Sequence, residues 1–314
     1  MAKAQAGDGA RLAPMGRHRL AVGVVGCGRL GASLAHALAA AGYRVVALAG
    51  RDPVPAQVLA AAIPDSRAVA PYVAVRAAEL VLLVVPDDAV EELASALPWR
   101  PGQAVVHCAG ALDLSPLAAA ARAGAATGCL HPLQAFPEPG GLPERLRGIA
   151  FGVEVAEAGG SALGALLEAL ALDIGAACTL RLEGVDRALY HAAAVIASND
   201  VVALAAAAGR AWALAGLPTE QAARALGPLL VGAAEAVAAL PSGQPLAEAL
   251  TGPLARGDVA TVRRHLDALS AEPALAVLYR TLGRELLALG LAHPPAVADE
   301  LHALLDRELA EGAP

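Results

Sequence analysis

Gly26-Cys27-Gly28-Arg29-Leu30-Gly31 stands between the apolar run Leu20 to Val25 and the Ala-rich stretch Ala32 to Ala41. This spacing suits a pyrophosphate. The first glycine permits a tight turn, the second lets the backbone approach the anion, and the third lets a helix pack on the preceding strand, with the anion at the helix N-terminus. With a strand before it and a helix after it, the motif is a dinucleotide-binding signature. About 20 residues further on, an acidic residue would accept the ribose hydroxyls of NAD. Here the second apolar run ends in Gly50-Arg51-Asp52. Gly50 occupies the place of the carboxylate, and the Arg51 guanidinium can meet a 2′-phosphate with two parallel hydrogen bonds, which favours NADP. The alternative leaves Arg51 solvated and has Asp52 serve NAD one position late.

These residues need a frame that brings them to one edge. After residues 1–18, read as a mobile tail, short apolar runs alternate with helical stretches, the pattern of a parallel sheet covered on both faces. Strands are expected near 20–25, 44–49, 67–70, 79–85, 103–107, 126–130, 149–155 and 174–180. The run Glu79 to Val85 reads as a fully buried strand, so Val85 and Pro86 at its carboxyl end should border the cofactor crevice, as should the turn His107-Cys108-Ala109-Gly110. From about 183 the strand signals stop and Ala/Leu-rich helices continue to the C-terminus. The expected fold is α/β: a Rossmann-type, mostly parallel sheet over 19–182 that binds NADP, followed by an all-helical domain over 183–314 for substrate and dimerisation.

Composition limits the functions available. The 314 residues are 57% hydrophobic and 17% charged, with net charge −7 and 3% aromatics, so the basic footprint and stacking platforms of a nucleic-acid binder are missing. The most apolar helices are interrupted by polar residues such as His191, Asn199 and Asp200, which argues against a membrane span, and a cytoplasmic location is expected. Cys27, Cys108, Cys129 and Cys178 have no metal-ligand spacing and read as reduced, buried thiols.

The glycine motif, the Val-Pro-Asp-Asp strand end, the His-Cys-Ala-Gly turn, His131-Pro132-Leu133-Gln134-Ala135-Phe136, Tyr190 to Asn199 and Thr251 to Asp258 together resemble a Rossmann-like oxidoreductase family whose C-terminal domain has no assigned function. The resemblance spans about 19–310. It implies kinship with ketopantoate reductase, pyrroline-5-carboxylate reductase, prephenate dehydrogenase and the deazaflavin-dependent NADP oxidoreductases, and a C-terminal domain like that of 6-phosphogluconate dehydrogenase.

Ketopantoate reductases carry a catalytic lysine followed by asparagines one and two turns later on the first helix of the helical domain. His191, Val195 and Asn199 stand at that i, i+4, i+8 spacing and share one helix face. The single lysine, Lys3, lies in the tail, so a lysine mechanism is excluded. A reductase needs a donor where charge develops on oxygen, or a proton source for the product, and His191 is the leading candidate. Asn199, with Ser198, is expected to hold the far end of the substrate or the nicotinamide carboxamide. His131 resembles the His-Pro element beside the nicotinamide in prephenate dehydrogenases. Arg256 could clamp a substrate carboxylate, while Asp258 reads as the N-cap of the helix that follows. The expected activity is NADPH-dependent reduction of a small 2-oxo acid, ketopantoate first, with a pyrroline-5-carboxylate-type imine, deazaflavin-dependent NADP reduction or a non-catalytic NADP sensor as alternatives. No metal is expected, and the partners expected are a carboxylate-bearing small molecule and a second copy of the chain.

Overall fold

In the computed structural model the described residues are 20–137, 140–156 and 160–306; the tail lies outside them. Strands β1 (Ala21–Val25), β2 (Arg44–Ala49), β3 (Arg67–Ala68), β4 (Leu80–Leu83), β5 (Ala104–His107), β6 (Ala126–Pro132), β7 (Ala150–Val155) and β8 (Cys178–Arg181) form one sheet in the order β3-β2-β1-β4-β5-β6-β7-β8. Neighbouring strands run parallel except β6 and β7, which pair antiparallel. The strand order reverses between β1 and β4, the place where open α/β sheets form a ligand crevice.

Helices α1 (Arg29–Ala40), α2 (Pro53–Ala62), α3 (Pro71–Ala77), α4 (Asp87–Ala96), α5 (Ala118–Arg122) and α6 (Gly160–Asp173) join the strands. Burial on both faces explains why β1, β4 and β5 are apolar runs with no polar alternation. On β4, Leu80 and Leu82 pack with Leu34, Leu38, Leu163 and Leu167 on one side of the sheet. Val81 and Leu83 pack with Val90, Val105 and Leu117 on the other. Cys178 departs from the buried-thiol reading: it is exposed, because β8 is an edge strand whose residues are mostly open to solvent.

Helices α7 (Arg187–Leu214), α8 (Thr219–Ala238), α9 (Pro253–Arg256), α10 (Val259–Leu269), α11 (Pro273–Leu287) and α12 (Pro295–Leu305) complete the chain. By contact it divides into two units, one ending at Ser198 and the other beginning at Asn199, so the first turns of α7 belong with the sheet. In the second unit Leu254, Val262, Leu266, Leu287, Leu301, Leu304 and Leu305 form a core. Asp258 caps α10 as its sequence position suggests, accepting a 3.0 Å bond from the Thr261 N–H. The polar interruptions of α7 carry less weight than expected. Its 28 residues reach a mean hydropathy of 1.6 over 18 positions, long and apolar enough to cross a membrane, with 6% of that window buried.

Candidate active site

The glycine motif folds as its spacing requires. Gly26 has φ +109°, a left-handed backbone that disfavours a side chain, and a Cβ there would stand 2.0 Å from the Val84 carbonyl oxygen. A Cβ on Gly31 would stand 1.8 Å from the Gly26 oxygen, so α1 can approach β1 only with glycine at that position. Around Gly28 a Cβ would meet nothing within 4 Å, and Gly28 caps α1 without a side-chain bond. The first N–H groups of α1 therefore remain open to an anion.

A cavity of about 900 Å³ opens here, lined by Gly26, Cys27, Gly28, Gly50, Arg51, Val85 and Pro86 among others. Arg29 is exposed and Leu30 half-buried, and neither they nor Gly31 line the cavity. Arg51 is exposed at its wall. Asp52, also on the wall, is the N-cap of α2 and accepts a 3.0 Å bond from the Val54 N–H. Part of its acceptor capacity thus serves the helix. The Cys27 thiol points back to the Ala49 oxygen at 3.4 Å, and burial pushes its pKa up to about 11, which leaves it chemically quiet.

A second group gathers at the carboxyl ends of β5 and β6. His131 lies near the end of β6 and is half-buried, with Nδ1 2.9 Å from the Tyr190 phenol oxygen. His191, in the second turn of α7, brings its ring centroid to 6.0 Å from that of His131 at a 69° interplanar angle. Both rings converge on Gly110. A Cβ at that position would stand 2.5 Å from His191 Nδ1 and 2.8 Å from His131 Nε2. His191 Nδ1 is buried and has no hydrogen-bond partner among the described residues. Burial, then the His191 and Arg187 charges, lowers the His131 pKa from 6.5 to about 4, so its imidazole is neutral at pH 7.

His107 does not meet the expectation of a cofactor contact. It is fully buried: Nδ1 accepts the Ala109 N–H at 3.2 Å, and Nε2 lies 3.0 Å from the Asp113 oxygen, to which it donates. With both ring nitrogens used by backbone, it locks the turn after β5. Burial first of all lowers its pKa to about 4.

The structure thus brings His131 and His191 together, while Asn199 and Arg256 fall in the second unit, both exposed. From the sequence Gly110 stands only in a turn expected to border the crevice and Tyr190 only in a segment that carries the resemblance, while Gly152, Glu154 and Arg187 bear no signal that was read. Arg187 could have been flagged by its spacing, one helical turn before His191. Gly152 gives the Tyr190 phenol its room, since a Cβ there would stand 2.7 Å from the hydroxyl. No cluster of three or more His, Cys, Asp or Glu suited to a metal ion occurs among the described residues.

Residues 7–132 match a Rossmann-like domain, and residues 149–286 match a domain of unknown function, DUF2520. No curated protein matches the chain. Among solved structures, a Bacteroides fragilis protein titled an NADP oxidoreductase is 24% identical with a TM-score of 0.62, covering 86% of this chain and 98% of its own. A Thermotoga maritima protein is 25% identical with a TM-score of 0.63, covering 85% and 97%. A 1-pyrroline-5-carboxylate reductase from Streptococcus pyogenes is 14% identical with a TM-score of 0.60, covering 91% and 99%. At such identities the likeness is one of fold.

Proposed function

We propose that this chain, a Rossmann-like domain followed by a DUF2520 domain, is an NADPH-dependent reductase of a small carbonyl or imine compound that carries a carboxylate. One observation carries the reading. The glycine-lined cavity opens at the carboxyl ends of β1, β2 and β4, and the His131/His191 pair stands two strands away on the same edge of the sheet. Gly26, Gly28 and the α1 N-terminus would hold the pyrophosphate, and Arg51 the 2′-phosphate. Bound NADPH supplies the hydride. His191 donates a hydrogen bond to the oxygen or nitrogen on which negative charge develops, and His131 flanks the same spot as a neutral imidazole.

Two substrate classes have support. The His191, Val195, Asn199 spacing, like that of ketopantoate reductases, favours a 2-oxo acid. The likeness in fold to a pyrroline-5-carboxylate reductase favours a cyclic imino acid. The test is NADPH oxidation by the purified protein against a panel of both. Turnover of one class selects it. Tight NADPH binding without turnover of any member overturns the reductase reading in favour of a cofactor-binding sensor.

The exposed apolar side chains of α7 and α8, among them Leu189, Ile196, Val202, Leu229 and Val231, support a homodimer in which a second copy covers these helices. Sedimentation equilibrium should give twice the 31.2 kDa chain mass; a monomer at micromolar concentration overturns this.

A further inference from the structure

Arg187 has no part in the substrate contacts proposed above, yet its side chain is only 6% exposed. Nε donates to the Gly110 oxygen at 3.1 Å, and Nη2 donates to the Ala109 oxygen at 3.0 Å and to the Cys129 sulfur at 3.1 Å. Nη1 pairs with the Glu154 carboxylate at 3.0 Å. One side chain thereby ties the first residue of α7 to the turn after β5, to β6 and to β7. A fork of fixed N–H directions can reach all of these acceptors at once; an ammonium cannot.

A buried ion pair is weak evidence for stability, because desolvation of both charges offsets their attraction. What this one fixes is location. Gly110, whose carbonyl Arg187 holds, is the surface on which both imidazoles rest. His191 follows Arg187 by four residues, one turn along the same helix face.

We infer that Arg187 is a positioning residue of the reductase site: by locking the Ala109-Gly110 turn to the first turn of α7, it sets the spacing and orientation of His191 and His131. The catalytic meaning of this rests on the reductase reading; the geometry does not. The guanidinium charge also acts on His131, adding to burial and to His191 in keeping that imidazole neutral. The ionisable groups gathered around His131 are Arg187, Tyr190 and His191 from α7, His107 from β5, Cys129 from β6 and Glu154 from β7, the last paired with Arg187.

The test uses the full chain with ring-15N-labelled histidine, comparing wild type, Arg187→Lys and the double variant Arg187→Met/Glu154→Gln, with NADPH titration and a melting curve as folding controls. In folded variants that bind NADPH normally, the ring-15N signals of His131 and His191 should move from their wild-type positions, and in the double variant, which removes the guanidinium charge, the His131 titration midpoint should rise. On the substrate found in the panel, kcat should fall at least tenfold, with KM changed less. Should Arg187→Lys not fold, the double variant, which buries no unpaired charge, carries the comparison. Histidine spectra and titration indistinguishable from wild type in a folded variant overturn the inference. If wild type turns over nothing, the reductase reading fails, and the histidine titration still decides the role of Arg187.

Discussion

A Cβ on Gly110 would stand 2.5 Å from Nδ1 of His191, closer than two unbonded atoms can sit. The turn after β5 and the second turn of α7 are thus in contact through a missing side chain. Gly110→Ala should push both imidazoles off their positions and lower kcat by about 10- to 100-fold, because small misplacements of reacting groups are costly. NADPH affinity should hold, since the cofactor cavity lies over other strands. Unchanged kcat in this variant would separate the turn from catalysis.

His191 itself should matter more. His191→Ala should lower kcat by about 10²–10⁴-fold with NADPH binding intact, and His191→Asn should recover part of the loss if donating a hydrogen bond is the function. Wild-type turnover in His191→Ala would remove it from the mechanism and leave His131 as the donor to examine.

Two glycines of the same motif should fail in different ways. Gly28 has φ −75°, which any residue adopts, and open space around it, so Gly28→Ala should melt like wild type yet lose NADPH affinity as the new methyl meets the pyrophosphate. At Gly31 the added carbon would overlap the Gly26 oxygen, so Gly31→Ala should lower the melting temperature as well. Differential scanning fluorimetry with and without NADPH distinguishes the two.

Arg51 should set cofactor choice. Arg51→Ala should cost about 1.5–3 kcal/mol of NADPH binding, the size of a hydrogen bond to a charged group, and leave NADH unaffected. Equal affinity of the wild type for both cofactors by isothermal titration would reject this role.

Stability should fall in mild acid. His107 and His131 have pKa values lowered from 6.5 to about 4, so between those pH values the unfolded chain binds more protons than the native one. Stability therefore rises with pH through that window and is lost as pH drops from about 6.5 toward 4. At pH 5 the loss amounts to as much as about 2 kcal/mol per histidine. Urea unfolding midpoints at pH 7.5 and pH 5 check this, and His107→Gln should roughly halve the difference, leaving the His131 contribution. Equal midpoints in wild type would mean that the histidines are not held neutral.

Sequence alone determined the frame, because its signals are local. Gly26, Gly28 and Gly31 act within one turn, the apolar runs that become β1, β4 and β5 announce burial on both faces, and Asp258 needs only Thr261 to cap α10. His131 and His191 were legible as candidates by residue type and spacing. Their union was not, since it joins residues 60 apart through the turn at Gly110, a contact that exists only once β5, β6 and α7 have packed. The same packing decided the fate of His107: its ring satisfies the backbone of its own turn, where an unpaired buried group would be costly, and so is withheld from the crevice. Arg187 stayed hidden for the related reason that a charged residue opening an apolar helix usually faces water. Only the tertiary structure supplies the carbonyls of Ala109 and Gly110 and the Glu154 carboxylate that let it lie buried.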